Sequence, residues 1–136
     1  MPPRNPKGPA NSSKEGVCEL LDLPFDQYQR YRDVKEIVER LRTAAGPFWL
    51  LDVGGGEGQY LPAPAFFTED RVWVADLHDI SSPRYVRASG LHLPFREKAF
   101  DIVFSCDTLE HVPRKQRAQF VKELFRASRR FVILVA

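Results

Sequence analysis

In LLDVGGGEGQY (residues 50–60), Asp52, Gly54, Gly56 and Gly58 recur at alternate positions directly after an apolar run. Of the chain's eight glycines, four lie between Gly54 and Gly58. A backbone this bare lets a ligand touch main chain where a Cβ would collide. A dinucleotide fingerprint runs Gly-x-Gly-x-x-Gly, and counted from Gly54 and Gly56 its third glycine falls on Gln59. No Lys-Ser/Thr pair follows, so this is not a phosphate-cradling P-loop. Asp76 stands about 20 residues further on, where an acidic side chain accepts hydrogen bonds from both hydroxyls of a ribose. A ribose site without a pyrophosphate site selects a nucleoside over a dinucleotide. A purely structural turn would leave the register of Asp52 and Asp76 unexplained.

The other chemistry-bearing residues point less far. The two cysteines, Cys18 and Cys106, are distant in sequence and lack metal-ligand spacing, which argues against a disulfide framework or a zinc site and fits a reducing, cytoplasmic setting. Nothing near Cys106 marks a lowered thiol pKa, so it reads as a small hydrophobe at a strand end. His111 is the histidine nearest the end of the fourth strand and a candidate general base, although a histidine before Pro113 is more often a local hydrogen-bonding or capping group. Arg114, Lys115, Arg117, Lys122, Arg126, Arg129 and Arg130 stand against a lone Glu123. That face could bind RNA, but a charge run is usually a solvated helix face, and a net charge of +2 gives no whole-chain argument for a polyanionic partner.

These residues need elements to hold them. A chain of 136 residues, 43% hydrophobic and 28% charged, is one globular domain's worth, with no run that spans a bilayer and no signal peptide at its polar, basic start. Residues 1–16, with Pro2, Pro3, Pro6 and Pro9, read as a flexible tail, and 17–136 as a single domain. Tyr28, Tyr31, Val34, Val38, Leu41 and Ala45 share one helical face, capped by Asp26 with Gln29 in a capping-box position and stopped at Gly46-Pro47. Within YQRYR (28–32), Arg30 could reach a ligand carboxylate, while the tyrosines pack the helix onto a sheet. FWLLDV (48–53), RVWVAD (71–76), a weaker RYVRAS (84–89), FDIVFSCD (100–107) and FVILVA (131–136) read as strands. Between the last two, Ala118, Phe120, Val121, Leu124 and Phe125 form a helical stripe. Alternation at this spacing means a mostly parallel α/β sheet.

Three blocks together resemble the class I S-adenosylmethionine-dependent methyltransferases, in particular the type 11 group. LLDVGGGEG is similar to their first motif, VWVAD to their second, and LHLPFREKAFDIVFSCDTLEHV (91–112) to their "LPF, FD-apolar-V, LEHV" stretch. The resemblance spans about residues 48–136. It implies a Rossmann-like three-layer sandwich with strand order 3-2-1-4-5, here lacking the usual last two strands. It also implies that Gly54, Gly56 and Gly58 lie against the methionine and ribose parts of the cofactor, with the next helix N-terminus facing its carboxylate. Asp52 would help hold the ammonium, directly or through water, and Asp76 the ribose, with Leu77 against the adenine. Ser89 replaces the acidic residue that often holds the adenine amino group, which implies adenine recognition that is weaker or comes from backbone near Gly90 and Leu91. Cys106 and Asp107 would lie beside the methionine arm and the methyl group.

The function so implied is transfer of a methyl group from S-adenosylmethionine, leaving S-adenosylhomocysteine, to a small-molecule acceptor. The alternatives are a non-catalytic relative using the same fold for dimerisation or scaffolding, and an RNA-binding module using the basic last helix. A fifth strand left at the sheet edge would be a pairing liability, which a homo-oligomer would cover.

Overall fold

The computed structural model describes residues 23–42, 46–56 and 60–136; the Pro-rich tail, Cys18, Ala45 and Gly58 lie outside the described residues. Apolar runs become strands wherever both faces are covered. All seven residues of β4 (Phe100–Cys106) are buried, as are four of the five of β1 (Trp49–Val53). With β2 (Arg71–Asp76), β3 (Tyr85–Arg87) and β5 (Ser128–Val135) they form one parallel sheet in the order β3-β2-β1-β4-β5, as expected.

Side-chain alternation divides β1 between two cores. Leu50 meets Tyr31, Val34 and Val38 of helix α1 (Phe25–Leu41) and Phe66 of α2 (Pro62–Phe66) on one face. Leu51 and Val53 meet Phe120, Leu124 and Ala127 of helix α3 (Arg117–Ala127) on the other. The result is the expected three-layer sandwich. No helix among the described residues is long and apolar enough to cross a membrane, and those residues hold no cluster of metal-binding side chains.

Several local expectations are corrected. Pro24, not Asp26, takes the cap position of α1; Asp26 sits in the first turn, where its charge suits the helix dipole and pairs with Arg30 at 3.7 Å. Gln29 turns away from the cap and donates to Asp33 at 2.9 Å. The helix stops at Leu41, ahead of Gly46-Pro47, with the Arg42 amide donating to the Glu39 carbonyl. β5 starts at Ser128, before its apolar run, because Asp101 on β4 pairs with Arg129 and the β4–β5 register shifts between Phe100 and Ile102.

The largest correction concerns α3. Its buried face is Phe120, Glu123, Leu124 and Ala127, while Ala118 is exposed and Phe125 is 63% exposed. Those four positions follow the i, i+3, i+4, i+7 rule, and the charged residue among them is held by partners. Glu123 Oε2 accepts the Leu93 amide at 2.8 Å and Arg126 Nε donates to Oε1 at 2.7 Å. Arg126 also donates to the Leu93 and Phe95 carbonyls, so the pair fastens the loop between β3 and β4 to the helix. Arg114 and Lys115 lie in a 3-10 turn ahead of α3 rather than in its first turn.

Candidate functional site

The carboxyl ends of the strands open into a groove of two hollows, about 400 Å³ and about 240 Å³, that share Gly54, Asp76, Leu77, Thr108 and His111. The larger is bordered by Arg30 and Tyr31 of α1, Gly55 and Gly56, Cys106 and Asp107. The smaller reaches Val53, Ala75, Ser89, Gly90, Leu91 and Phe120. The segments at the ends of β1, β2, β3 and β4 thus bring together ten of the predicted site residues around one space. Asp52 lies beneath it, and Gly58 falls outside the described residues.

The glycines are bare first for the protein's own side chains. Gly54 has φ +83°, and a Cβ there would run into the Thr108 hydroxyl; one on Gly55 would run into the Asp52 carboxylate. A Cβ on Gly56 would lie 2.9 Å from both Asp76 Oδ2 and Ile80 Cδ1. The Gly56 amide donates to Asp76 Oδ2 at 2.7 Å, and the Leu77 amide to Oδ1 at 2.6 Å. Each carboxylate oxygen keeps a further lone pair, and Asp76 borders both hollows, so it can accept from a ligand while held rigid.

Asp52 is fully buried and does not border the groove. Its Oδ2 accepts the Tyr31 hydroxyl at 2.7 Å, and its Oδ1 has no hydrogen-bond partner among the described residues. Burial pushes the carboxyl up to about 7, against the Tyr31 hydrogen bond and with the Asp76 charge adding to the rise. Tyr31, stacked on Phe66 with ring centroids 5.5 Å apart, is itself raised well above the ordinary phenol range, chiefly by burial. Periodicity placed Tyr31 on the packed face of α1 but could not reveal this bond across 21 residues of sequence.

Arg30 pairs with Asp107, which takes a left-handed φ of +54° at the end of β4. The Arg30 guanidinium, which could from sequence reach a ligand carboxylate, borders the larger hollow and bridges α1 to the end of β4. Cys106 is buried and its thiol is pushed up to about 12, mainly by burial, which leaves it inert as a nucleophile. His111 ends a 3-10 turn (Leu109–His111), exposed where the hollows meet, and its imidazole has no hydrogen-bond partner among the described residues. The local bonding role expected for that ring is not formed.

Ser89 Oγ accepts the Leu91 amide at 3.1 Å, and a Cβ on Gly90 would strike the Phe120 ring, so this turn is packed against α3. The helix expected after the glycine loop is the five-residue α2, too short for a strong dipole. Sequence reasoning missed Thr108, whose hydroxyl donates to the Cys106 carbonyl at 3.1 Å beneath Gly54. Its only signal was its place directly before the LEHV run.

Residues 51–135 match the model of a family described as methyltransferase domain. A methyltransferase of Mycobacterium sp. (strain JLS) is 38% identical over 79 residues, covering 52% of this chain and 31% of the relative. One from Mycobacterium tuberculosis (strain ATCC 25618 / H37Rv) is 29% identical over 119 residues, covering 70% of this chain and 46% of the relative. The chain thus spans less than half the length of these relatives. Among solved structures, magnesium protoporphyrin IX methyltransferase from Synechocystis PCC 6803, with S-adenosylmethionine bound, shares the fold with a TM-score of 0.63 at 16% identity, covering 95% of this chain and 64% of that one. The family match covers most of the chain and includes both the glycine loop and the LEHV stretch, so the chain belongs to the methyltransferase domain family.

Proposed function

We propose that this chain binds S-adenosylmethionine in the groove and forms the cofactor-binding part of an enzyme that methylates a small-molecule acceptor. The observation that carries this reading is Asp76, pinned by two amides at the junction of a larger and a smaller hollow. A ribose belongs at such a junction, with an adenine on one side and an amino-acid arm on the other.

The residues present fit that group. Asp76 would accept the ribose hydroxyls, while Leu77, Ser89, Gly90 and Leu91 would flank the adenine. Gly54, Gly56 and Gly58, with Cys106 and Asp107, would border the methionine arm. Asp52 Oδ1, without a partner among the described residues, is a buried acceptor close to where an ammonium would lie. When bound, the cofactor supplies an electrophilic methyl on a sulfonium. The protein's share is then mostly positioning, and His111 would serve as a base only for an acceptor that must lose a proton.

Isothermal titration with S-adenosylhomocysteine tests the reading. One site is expected, and Asp76→Ala should weaken it at least about tenfold, because two hydrogen bonds of about 1 kcal/mol each are lost. Folded protein that takes up no S-adenosylhomocysteine would overturn it.

A further inference from the structure

At the opposite rim of the sheet, where β1 and β2 begin, a hollow of about 420 Å³ opens beside Trp49, Trp73 and Phe95. Trp49 lies at the far end of β1 from the glycine loop, about 13 Å away at the usual strand rise, so this hollow is separate from the groove. Trp49 is 37% exposed, an unusual position for an indole that pays no part in either core. Trp73 and Phe95 meet edge to face at 6.0 Å.

Cations surround these rings. Arg96, Lys98 and Arg129 border the hollow, and the Arg71 guanidinium lies 4.9 Å over the Trp49 ring. Arg129 is neutralised by Asp101, but Arg71, Arg96 and Lys98 have no ion-pair partner among the described residues. The turn that carries two of them is held in place: Lys98 has φ +56° and its amide donates to the Arg126 carbonyl at 2.8 Å. By contrast, several cations of the last helix are already engaged. Arg117 donates to the Val112 and Glu110 carbonyls, and Arg126 to Glu123.

The exposed indole of Trp49 and the half-buried one of Trp73, with unpaired cations around them, match a nucleobase attached to phosphates. Stacking on an aromatic ring accepts any base, and the cations take the backbone. A free nucleotide is normally buried on most of its surface, whereas Arg71, Arg96 and Lys98 are all exposed at an open rim. We infer that this hollow binds a single-stranded nucleic acid, with a base against Trp49 and Trp73 and its neighbouring phosphates on Arg96 and Lys98. This inference does not depend on the cofactor reading.

The chain's two tryptophans both border the hollow, so their fluorescence reports on it. The full chain would be titrated with an adenine RNA strand of about ten nucleotides, within the usual site size. Saturable quenching is expected, with log affinity falling against log salt at a slope of about −1.4 for two phosphate contacts on a single strand. The double variant Arg96→Glu/Lys98→Glu should keep its thermal melt and lose at least about tenfold in affinity. Absence of quenching, or equal affinity in the double variant, would overturn the inference. Adenosine monophosphate binding as tightly as the strand would also overturn it, assigning the hollow to free nucleotides.

Discussion

Burial separates Asp76, which borders the groove, from Asp52 beneath it. Asp76 is held by amides and faces open space, while Asp52 sits beneath Gly55 with its carboxyl pushed up to about 7. Below about pH 4 Asp52 is protonated in both folded and unfolded chains, and its contribution to stability is fully present. As pH rises toward 7 the folded state keeps a proton that the unfolded chain has released, so that contribution is lost. Urea unfolding at pH 5 and pH 8 should show the native protein losing about 2–3 kcal/mol more than Asp52→Asn across that interval, from roughly two pK units at 1.36 kcal/mol each. Parallel profiles for the two proteins would refute the assignment. Gly54 gives a second residue-scale prediction. Its left-handed φ and the Thr108 hydroxyl beneath it leave no room for a methyl, so Gly54→Ala should cost about 2–4 kcal/mol in denaturant unfolding, from backbone strain and overpacking together.

At the scale of elements, the sequence is most legible where one signal decides. The predominantly apolar β1 and β4 had to be buried strands, and the glycine loop at the end of β1 had to open toward the ligand side of a parallel sheet. Legibility fails where a partner lies far along the chain. An apolar pattern assigns Phe125 to the core and Glu123 to solvent; the reverse holds because Glu123 meets the Leu93 amide 30 residues away. Arg126 beside it holds the Glu123 carboxyl below the ordinary range, with the Leu93 amide assisting against burial. Glu123→Ala should therefore destabilise by about 1–3 kcal/mol, because the buried Leu93 amide and the half-buried Arg126 lose their acceptor. Glu123→Gln keeps an acceptor for the Leu93 amide and should lose distinctly less. Equal losses in urea titrations would mean that the amide contact contributes nothing. The inward contact of the glycine loop with Thr108 was illegible for the same reason, since nothing local in either segment announces the other.

For the whole molecule, the two margins of the sheet differ in how they meet solvent. β3 is three residues long and carries an exposed Arg87, and a short charged strand discourages further pairing. β5 runs for eight residues with its far side unpaired among the described residues, and it exposes Phe131 at 43% and Leu134 at 38%. Its charges, Arg129 and Arg130, sit only at its start. Two copies of β5 laid antiparallel would place each Arg pair beside the apolar end of the other strand, so like charges would not oppose one another and the backbone ladder could close. In solutions of this chain, sedimentation velocity should accordingly show dimer growing with concentration across the micromolar range. Leu134→Lys adds charge within the strand's apolar stretch and should shift that equilibrium at least about tenfold toward monomer, the effect of a loss of about 1.4 kcal/mol. A native chain that stays monomeric over the whole range, or a variant that dimerises equally well, would show that the exposed side chains of β5 do not drive pairing.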